Sequence, residues 1–165
     1  ADEPPVQTVD MSKLDERDGL WYEGDSETPF TGVAVDKYEN GQKHLEETYK
    51  DGKLEGLTTL WLENGKKEME GTYKDGKLEG PFTEWYENGK KLSETTYKDG
   101  KLEGLETSWY SNGQKLHELN WKDGKREGLR TTWHENGKKA REETYKDGKK
   151  VSETKWDEEG NEIKK

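Results

Sequence analysis

Glycine-containing dipeptides recur at a fixed interval along this chain, and this periodicity constrains the fold more than any other feature. Asn-Gly pairs follow one another every 24 residues, with their glycines at Gly41, Gly65, Gly89, Gly113 and Gly137. Asp-Gly pairs keep the same 24-residue interval, with their glycines at Gly52, Gly76, Gly100, Gly124 and Gly148. Such registered repetition is typical of repeat proteins, in which each unit packs on its sequence neighbours.

The two kinds of dipeptide predict β-hairpins. Asn-Gly and Asp-Gly favour type I′ turns, because both central residues of that turn need positive φ. The segments between the corners are rich in Thr, Tyr, Trp and Leu, which favour strands. The sequence therefore predicts an all-β fold, an elongated antiparallel meander of tandem 24-residue β-hairpin repeats in a single-layer twisted sheet. A closed up-and-down barrel is the alternative.

Two-residue loops at both kinds of corner would fix the strand register. Around Asn64-Gly65, Trp61 would then face Glu68. A third glycine series, again 24 residues apart, would face a series of aromatic rings and leave room for them over the backbone. The glycines are Gly32, Gly56, Gly80, Gly104 and Gly128, and the aromatic residues are Tyr49, Tyr73, Tyr97, Trp121 and Tyr145.

The predicted register separates two faces of the sheet. The tyrosine face carries the aromatic series just given, together with Leu54, Leu78 and Leu102. The tryptophan face carries Trp61, Trp85, Trp109 and Trp133, the leucines Leu57, Leu105 and Leu129, and the glutamates Glu46, Glu70, Glu94, Glu118 and Glu142. These four tryptophans are the candidate partner-binding residues, because aromatic side chains dominate the energetics of interfaces. The alternative is that the rings only cover their own sheet.

Charge and the decay of the repeats divide the chain into four segments. Residues 1–36 hold 10 acidic and two basic residues, whereas the rest of the chain is nearly neutral. We expect an acidic, flexible N-terminal segment, N-terminal capping strands, the tandem hairpin repeats, and a C-terminal capping strand with a tail; these are residues 1–15, 16–36, 37–148 and 149–165.

Composition excludes several classes of function. The chain has 165 residues, no cysteine and a formal net charge of −10, so disulfides and thiolate metal sites are excluded. It shows no basic stripe for nucleic acid or an anionic membrane surface, and no apolar run that would span a bilayer. If Ala1 is a processed terminus the protein is exported, and otherwise it is cytoplasmic.

One group of side chains has the composition of a hydrolase triad. The predicted register places His117 opposite Ser108, with Glu106 on the same face. An open sheet offers no converging oxyanion donors and no pocket that excludes water. The sequence therefore predicts a protein that is not an enzyme and needs no cofactor or metal, with the glutamates of the tryptophan face paired to lysines rather than to calcium.

The repeat unit also resembles a known family. Residues 73–80 (YKDGKLEG) followed by residues 85–89 (WYENG) resemble the bacterial variant of the MORN repeat. The opening residues 16–22 and 28–32 are similar to the entry segment of the YwqK-type antitoxin family. The resemblance covers roughly residues 16–163 and implies a protein partner, which in the antitoxin version is a toxin that the chain neutralises. Lys-Leu-Glu-Gly stands where standard MORN repeats have Lys-x-His-Gly, so lipid binding is not carried over.

Three functions remain open at this point. The first is a non-enzymatic β-repeat module that binds a protein, in one version a toxin. The alternative is a cell-envelope or carbohydrate-binding module that uses the tryptophans as a stacking platform. Self-association through sheet edges or faces is the third.

Overall fold

The structure, a computed structural model, describes residues 6–164, so Ala1 and Lys165 lie outside the described residues. The chain forms two compact units, unit 1 (Ala1–Glu79) and unit 2 (Gly80–Lys165). Within residues 6–164 the only helix is a short 3-10 turn, Met11–Lys13, and no helix is long and apolar enough to span a bilayer.

Strands make up most of both units. Those of unit 1 are β1 (Thr8–Asp10), β2 (Leu14–Arg17), β3 (Leu20–Glu23), β4 (Gly32–Lys37), β5 (Lys43–Lys50), β6 (Lys53–Trp61) and β7 (Lys67–Lys74). Strand β8 (Lys77–Trp85) begins in unit 1 and ends in unit 2. Unit 2 continues with β9 (Lys91–Lys98), β10 (Lys101–Leu102), β11 (Gly104–Trp109), β12 (Lys115–Lys122), β13 (Lys125–Trp133), β14 (Lys139–Lys146) and β15 (Lys149–Lys155).

The strands follow one another in chain order. In unit 1, β4 to β7 form antiparallel neighbours, β1 adds in parallel to β4, and β2 pairs with β3 in a separate hairpin. In unit 2, β8, β9 and β11 to β15 form antiparallel neighbours, and β10 pairs with β9. The predicted antiparallel meander of tandem hairpins is therefore confirmed. Among the described residues neither unit closes into the alternative barrel.

The Asp-Gly corners are the predicted type I′ turns. Asp123 has φ +49° and Gly124 has φ +77°, and the other Asp-Gly corners of the repeats show the same combination. The corner at Asp123 and Gly124 is also bound by the preceding repeat. The N–H of Gly124 donates to the carbonyl of Leu102 (2.9 Å), and the N–H of Asp123 donates to Oε2 of Glu103 (2.8 Å). The glutamate of Lys-Leu-Glu-Gly thus satisfies a corner amide of the next repeat.

The Asn-Gly corners differ from the prediction, because each loop contains three residues rather than two. Asn64 has no positive φ, whereas Gly65 has φ +81°. The N–H of Gly65 donates to the carbonyl of Leu62 (2.9 Å), which gives a type I turn followed by a glycine bulge. The bulge shifts the register at the strand end, so that Trp61 faces Lys67 and not Glu68. The side-chain oxygen of Asn64 accepts from the N–H of Lys66 (3.0 Å) and favours this turn.

The third glycine series faces the aromatic series as predicted, but at Gly104 and Gly128 the reason for glycine is different. Gly104 pairs with Trp121 and Gly128 pairs with Tyr145. A side-chain carbon at Gly104 or Gly128 would meet nothing within 4 Å, so the rings do not occupy that space. Both residues have positive φ, +79° and +76°, which a residue with a side chain adopts only at a cost. The backbone conformation, and not room for a ring, therefore requires glycine here.

Unit 1 contains an apolar core at its N-terminal end. The core consists of the buried residues Val9, Leu14, Phe30, Ala34 and Tyr49. The N–H of Trp21 donates to the carbonyl of Gly52 (2.9 Å) and fixes the β2–β3 hairpin to the first repeat. Of residues 1–15, for which flexibility was predicted, residues 8–10 form β1 and two side chains enter this core. The acidic composition of this segment did not predict the strand or the buried side chains, because only two of its apolar residues enter the core.

Candidate functional site: the tryptophan face

Each candidate tryptophan is the last residue of a strand. Trp61 ends β6 in unit 1, and Trp85, Trp109 and Trp133 end β8, β11 and β13 in unit 2. All four side chains are half-buried. The following Asn-Gly corner turns the chain immediately after the ring, so each tryptophan lies at the corner end of its strand.

A lysine from the preceding repeat lies over the rings of Trp61, Trp109 and Trp133. The Nζ atom of Lys91 is 5.9 Å from the ring centroid of Trp109, and that of Lys115 is 5.8 Å from the centroid of Trp133. In unit 1, Lys43 lies over Trp61 in the same way, at 5.7 Å. These distances are within the range of cation–π attraction.

The same lysines pair with the glutamates of the tryptophan face. The ion pairs join residues three apart in one strand: Lys43–Glu46, Lys67–Glu70, Lys91–Glu94, Lys115–Glu118 and Lys139–Glu142. The lysines are about half-exposed, so each pair contributes little to stability. Their effect is to hold the ammonium groups in place over the rings. Within residues 6–164 no group of three or more His, Cys, Asp or Glu side chains has the arrangement of a metal site.

Trp156 continues the series, although the sequence reasoning missed it. It follows β15, is half-buried, and has Nζ of Lys139 5.9 Å from its ring centroid. The last corner has its glycine at Gly160, and the tryptophan precedes that corner as in the repeats. The interval from Trp133 is 23 residues instead of 24, which hid it from a search at constant spacing.

The backbone at these tryptophans is held by the preceding repeat. The hydroxyl of Tyr110 donates to the carbonyl of Trp133 (2.8 Å), and that of Tyr86 donates to the carbonyl of Trp109 (2.7 Å). Burial raises the pKa of the Tyr110 hydroxyl, with a further contribution from the charge of Glu135, so it remains a donor at neutral pH. These bonds fix the strand ends at Trp109 and Trp133 to the preceding repeat.

A groove separates two of the rings in unit 2. It has a volume of about 490 Å³ and is lined by Trp109, Gly113, Gln114, Lys115, Trp133 and Gly137. The two glycines belong to Asn-Gly corners and have positive φ. The lining combines two aromatic rings with an amide and an ammonium group, which is a usual combination in binding sites.

The leucines of the tryptophan face are unusually exposed. Leu105 and Leu129 in unit 2 are 51% and 49% exposed, and Leu57 in unit 1 is 52% exposed. Between each of these leucines and the tryptophan of its strand lies a buried threonine, Thr107 or Thr131 in unit 2. The face of unit 2 that carries the groove thus also presents exposed aliphatic side chains.

On the tyrosine face, the structure brings Ser108, His117 and Glu106 together. Nε2 of His117 is 2.9 Å from Oε1 of Glu106, which leaves Nδ1 to accept from the hydroxyl of Ser108 (3.0 Å). The hydrogen bond from His117, with another from Trp121 (2.6 Å), outweighs burial and lowers the pKa of the Glu106 carboxyl. Ser108 is buried, at 7% exposure, and its hydroxyl is bonded to His117 of the neighbouring strand. This arrangement is a polar network between neighbouring strands.

Comparison with protein families accounts for the repeats. Five consecutive segments match the MORN repeat variant: residues 30–51, 54–75, 78–99, 102–123 and 126–147. No curated protein matches the chain. Each matched segment contains one Asn-Gly corner and ends at the aspartate of the following Asp-Gly corner, so the family unit coincides with the structural repeat. Because the five segments cover most of the sequence, the chain belongs to the MORN repeat variant family.

Proposed function

We propose that this chain is a non-enzymatic module that binds a protein partner through the tryptophan face of unit 2. The observation that carries the proposal is the groove between Trp109 and Trp133, with Leu105 and Leu129 exposed on the same face. Aromatic anchors beside a pocket and exposed aliphatic side chains are the composition of an interface centre. The strand ends, fixed to the preceding repeat, would reduce the entropy lost on binding.

The lysines favour a protein over a sugar. Stacking of a sugar needs an open ring face, and Nζ of Lys91 or Lys115 lies over the ring of Trp109 or Trp133. Side chains of a protein partner need only the ring edges and the groove between them. The carbohydrate-binding alternative is therefore the less favoured one.

Site-specific photo-crosslinking tests the proposal. We would replace Gln114, which lines the groove, by p-benzoylphenylalanine, and use the exposed Lys77 at the Asp75-Gly76 corner as the matched control position. We expect a single cross-linked protein from the source cells with the label at 114 and none with the label at 77. Equal cross-linking from both positions would show that the groove has no special role.

The purified partner then allows the affinity to be measured. Trp133→Ala should weaken its binding at least tenfold, as expected for an aromatic anchor. Circular dichroism must show that the variant remains folded. Unchanged affinity in a folded Trp133→Ala would contradict the proposal, and binding to a glycan array that this variant abolishes would support the carbohydrate alternative instead.

The antitoxin version of the proposal also predicts that the partner is toxic. Expressed alone, the captured protein should arrest growth of its host, and co-expression of this chain should restore growth. A captured partner without toxicity would refute the antitoxin version and leave the protein-binding role intact.

A further inference from the structure

One position of the tyrosine face changes its chemistry in unit 2. In each repeat a lysine follows the Asp-Gly corner. The residue after this lysine is a leucine in three repeats: Leu54, Leu78 and Leu102. In the next two repeats it is Arg126 and then Lys150. The substitution places cations in an aromatic row, because Arg126 pairs with Trp121 in the sheet and Lys150 pairs with Tyr145.

Arg126 is held between two rings and forms no ion pair with any residue in the described part of the chain. Its guanidinium carbon is 5.7 Å from the ring centroid of Trp121 and 5.4 Å from that of Tyr145. Its Nη1 donates to the Tyr145 hydroxyl at 3.4 Å, which is a long hydrogen bond. The side chain is exposed, so most of its donors face solvent.

The other arginines of unit 2 are already paired. Arg130 contacts Glu143 (2.9 Å), and Arg141 lies within 3.8 Å of carboxylates of Glu143 and Glu153. Glu106 is near enough to Arg126 for its pKa to be lowered slightly by the arginine, but it is bound to His117 and Trp121. Arg126 is thus a positioned arginine whose charge has no direct counter-ion.

The corners beside Arg126 add positive charge. Residues 122–126 and residues 146–150 each carry three cations and one aspartate, a net charge of +2, whereas residues 98–102 carry +1. Glu103 and Glu127 bind corner amides of Asp123 and Asp147 through one oxygen each. Lys150 pairs with Glu143 and Glu153, but no ion pair forms at Lys122, Lys125, Lys146 or Lys149 among residues 6–164.

We propose that Arg126 and the lysines of these two corners bind an acidic peptide segment of a protein partner. An arginine whose planar group is already oriented is suited to a carboxylate, since little rotamer freedom remains to be lost. Adjacent corners are two strands, about 10 Å, apart, a distance that three residues of an extended peptide span. The chain as a whole carries −10, so the patch is a local exception rather than a general polyanion surface.

A titration with a model peptide tests this proposal. The fluorescence anisotropy of fluorescein-labelled decaglutamate is measured with the full chain at low and physiological salt, with decalysine as the control peptide. We expect decaglutamate to bind, and its binding to weaken as salt increases. Decalysine is attracted by the acidic residues 1–36, so its binding should be unchanged in Arg126→Leu. Arg126→Leu should reduce the affinity about fivefold, the upper end for one exposed ion pair. Because leucine occupies this position in other repeats, the variant should fold, which its thermal unfolding midpoint would verify.

Two further variants distinguish binding at a specific site from nonspecific electrostatic attraction. Lys77→Leu removes one charge at the Asp75-Gly76 corner, which has no ring-bound arginine, and should weaken binding less than twofold. Arg126→Lys keeps the charge but loses the planar donors, so its affinity should fall between those of wild type and Arg126→Leu. Equal losses of affinity for Lys77→Leu and Arg126→Leu, or no loss for Arg126→Leu, would overturn the proposal.

Related binding measurements would show whether the patch around Arg126 binds a different ligand. If decaglutamate does not bind while the chain associates with itself or with phosphatidylserine vesicles, and Arg126→Leu abolishes that association, the patch serves a second copy or a membrane and the proposal is wrong. The groove between Trp109 and Trp133 takes no part in this measurement, so its result is separate from that of the cross-linking experiment.

Discussion

Single residues in this protein are selected as much for backbone conformation as for contacts. At a type I′ corner, both Asp123 and Gly124 have positive φ. At the Asn64 corner only Gly65 has positive φ, and the Asn64 side chain accepts a hydrogen bond from the backbone N–H of Lys66. Gly104 shows the distinction most clearly, because it has open space around it and still has φ +79°.

Replacing Gly104 by alanine tests whether glycine is required by the backbone conformation, since the structure has space for the added methyl group. We expect Gly104→Ala to lower the free energy of unfolding by about 1–2 kcal/mol, the usual cost of a left-handed residue with a side chain. Urea unfolding measures the change. Gly104→Asn should cost less, because asparagine tolerates this region better. A loss below about 0.3 kcal/mol for alanine would mean that the backbone relaxes to negative φ.

The polar network at Glu106 predicts a pH dependence. The pKa of this carboxyl is lowered from 4.5 in the folded state, so its ionised form stabilises the protein above pH 4.5. This stability should be lost as the pH falls through the lower, folded pKa. Urea midpoints should therefore decrease more steeply below pH 4.5 in wild type than in Glu106→Gln. The exposed Glu63→Gln is the control and should keep the wild-type slope.

At the level of elements, neighbouring hairpins bind one another at their corners. The Asp75, Asp123 and Asp147 amides receive a glutamate oxygen from the repeat before. The side chains of Asn88 and Asn136 donate to the repeat after. Nδ2 of Asn88 donates to the carbonyl of Ser111 (2.9 Å), and Nδ2 of Asn136 donates to that of Glu158 (2.9 Å). These contacts connect corners that are 22 or 23 residues apart in sequence, which an isolated hairpin lacks.

Asn88→Asp isolates the contact between corners. Aspartate keeps the oxygen that accepts from the N–H of Lys90 (2.9 Å) but loses the donor to Ser111. We expect a loss of about 1 kcal/mol, measured by urea unfolding. Asn112→Asp is the matched control, because Asn112 shows the bond within its own corner and no side-chain donor bond to the next one in the described structure. Equal losses in both variants would attribute the effect to the added charge.

At the level of the whole molecule, apolar burial is uneven. Unit 1 has a cluster of buried apolar residues around Phe30 and Tyr49, whose rings are 5.8 Å apart. Unit 2 contains one sheet in its described part, and its buried positions include Thr107, Ser108 and Glu143 as well as Leu119 and Tyr145. Packing of an apolar core stabilises unit 1, whereas contacts between neighbouring strands stabilise unit 2.

The two phenylalanines of the chain test this difference. Phe30 is 3% exposed in the core of unit 1, and Phe82 is half-buried on the sheet of unit 2, next to Tyr97. Phe30→Ala should lower the free energy of unfolding by about 3 kcal/mol or more. Phe82→Ala should cost about 1 kcal/mol, because less surface is removed from water. Hydrogen exchange followed residue by residue would assign each loss to its unit, and comparable losses would contradict the uneven burial.

The sequence by itself determined the strand count of each repeat, the corner positions and the two faces, because Asp-Gly turns and the alternation of side chains are local properties. Tertiary structure decided the rest. The loop at Asn64 is one residue longer than the loop at Asp75. Because of this extra residue, Trp61 pairs with Lys67 instead of Glu68. The lysines over the tryptophans, the groove at Trp109 and the rings around Arg126 join residues of different strands or repeats. Such contacts depend on bulges and on side-chain rotamers, which the spacing of residues in a sequence does not fix.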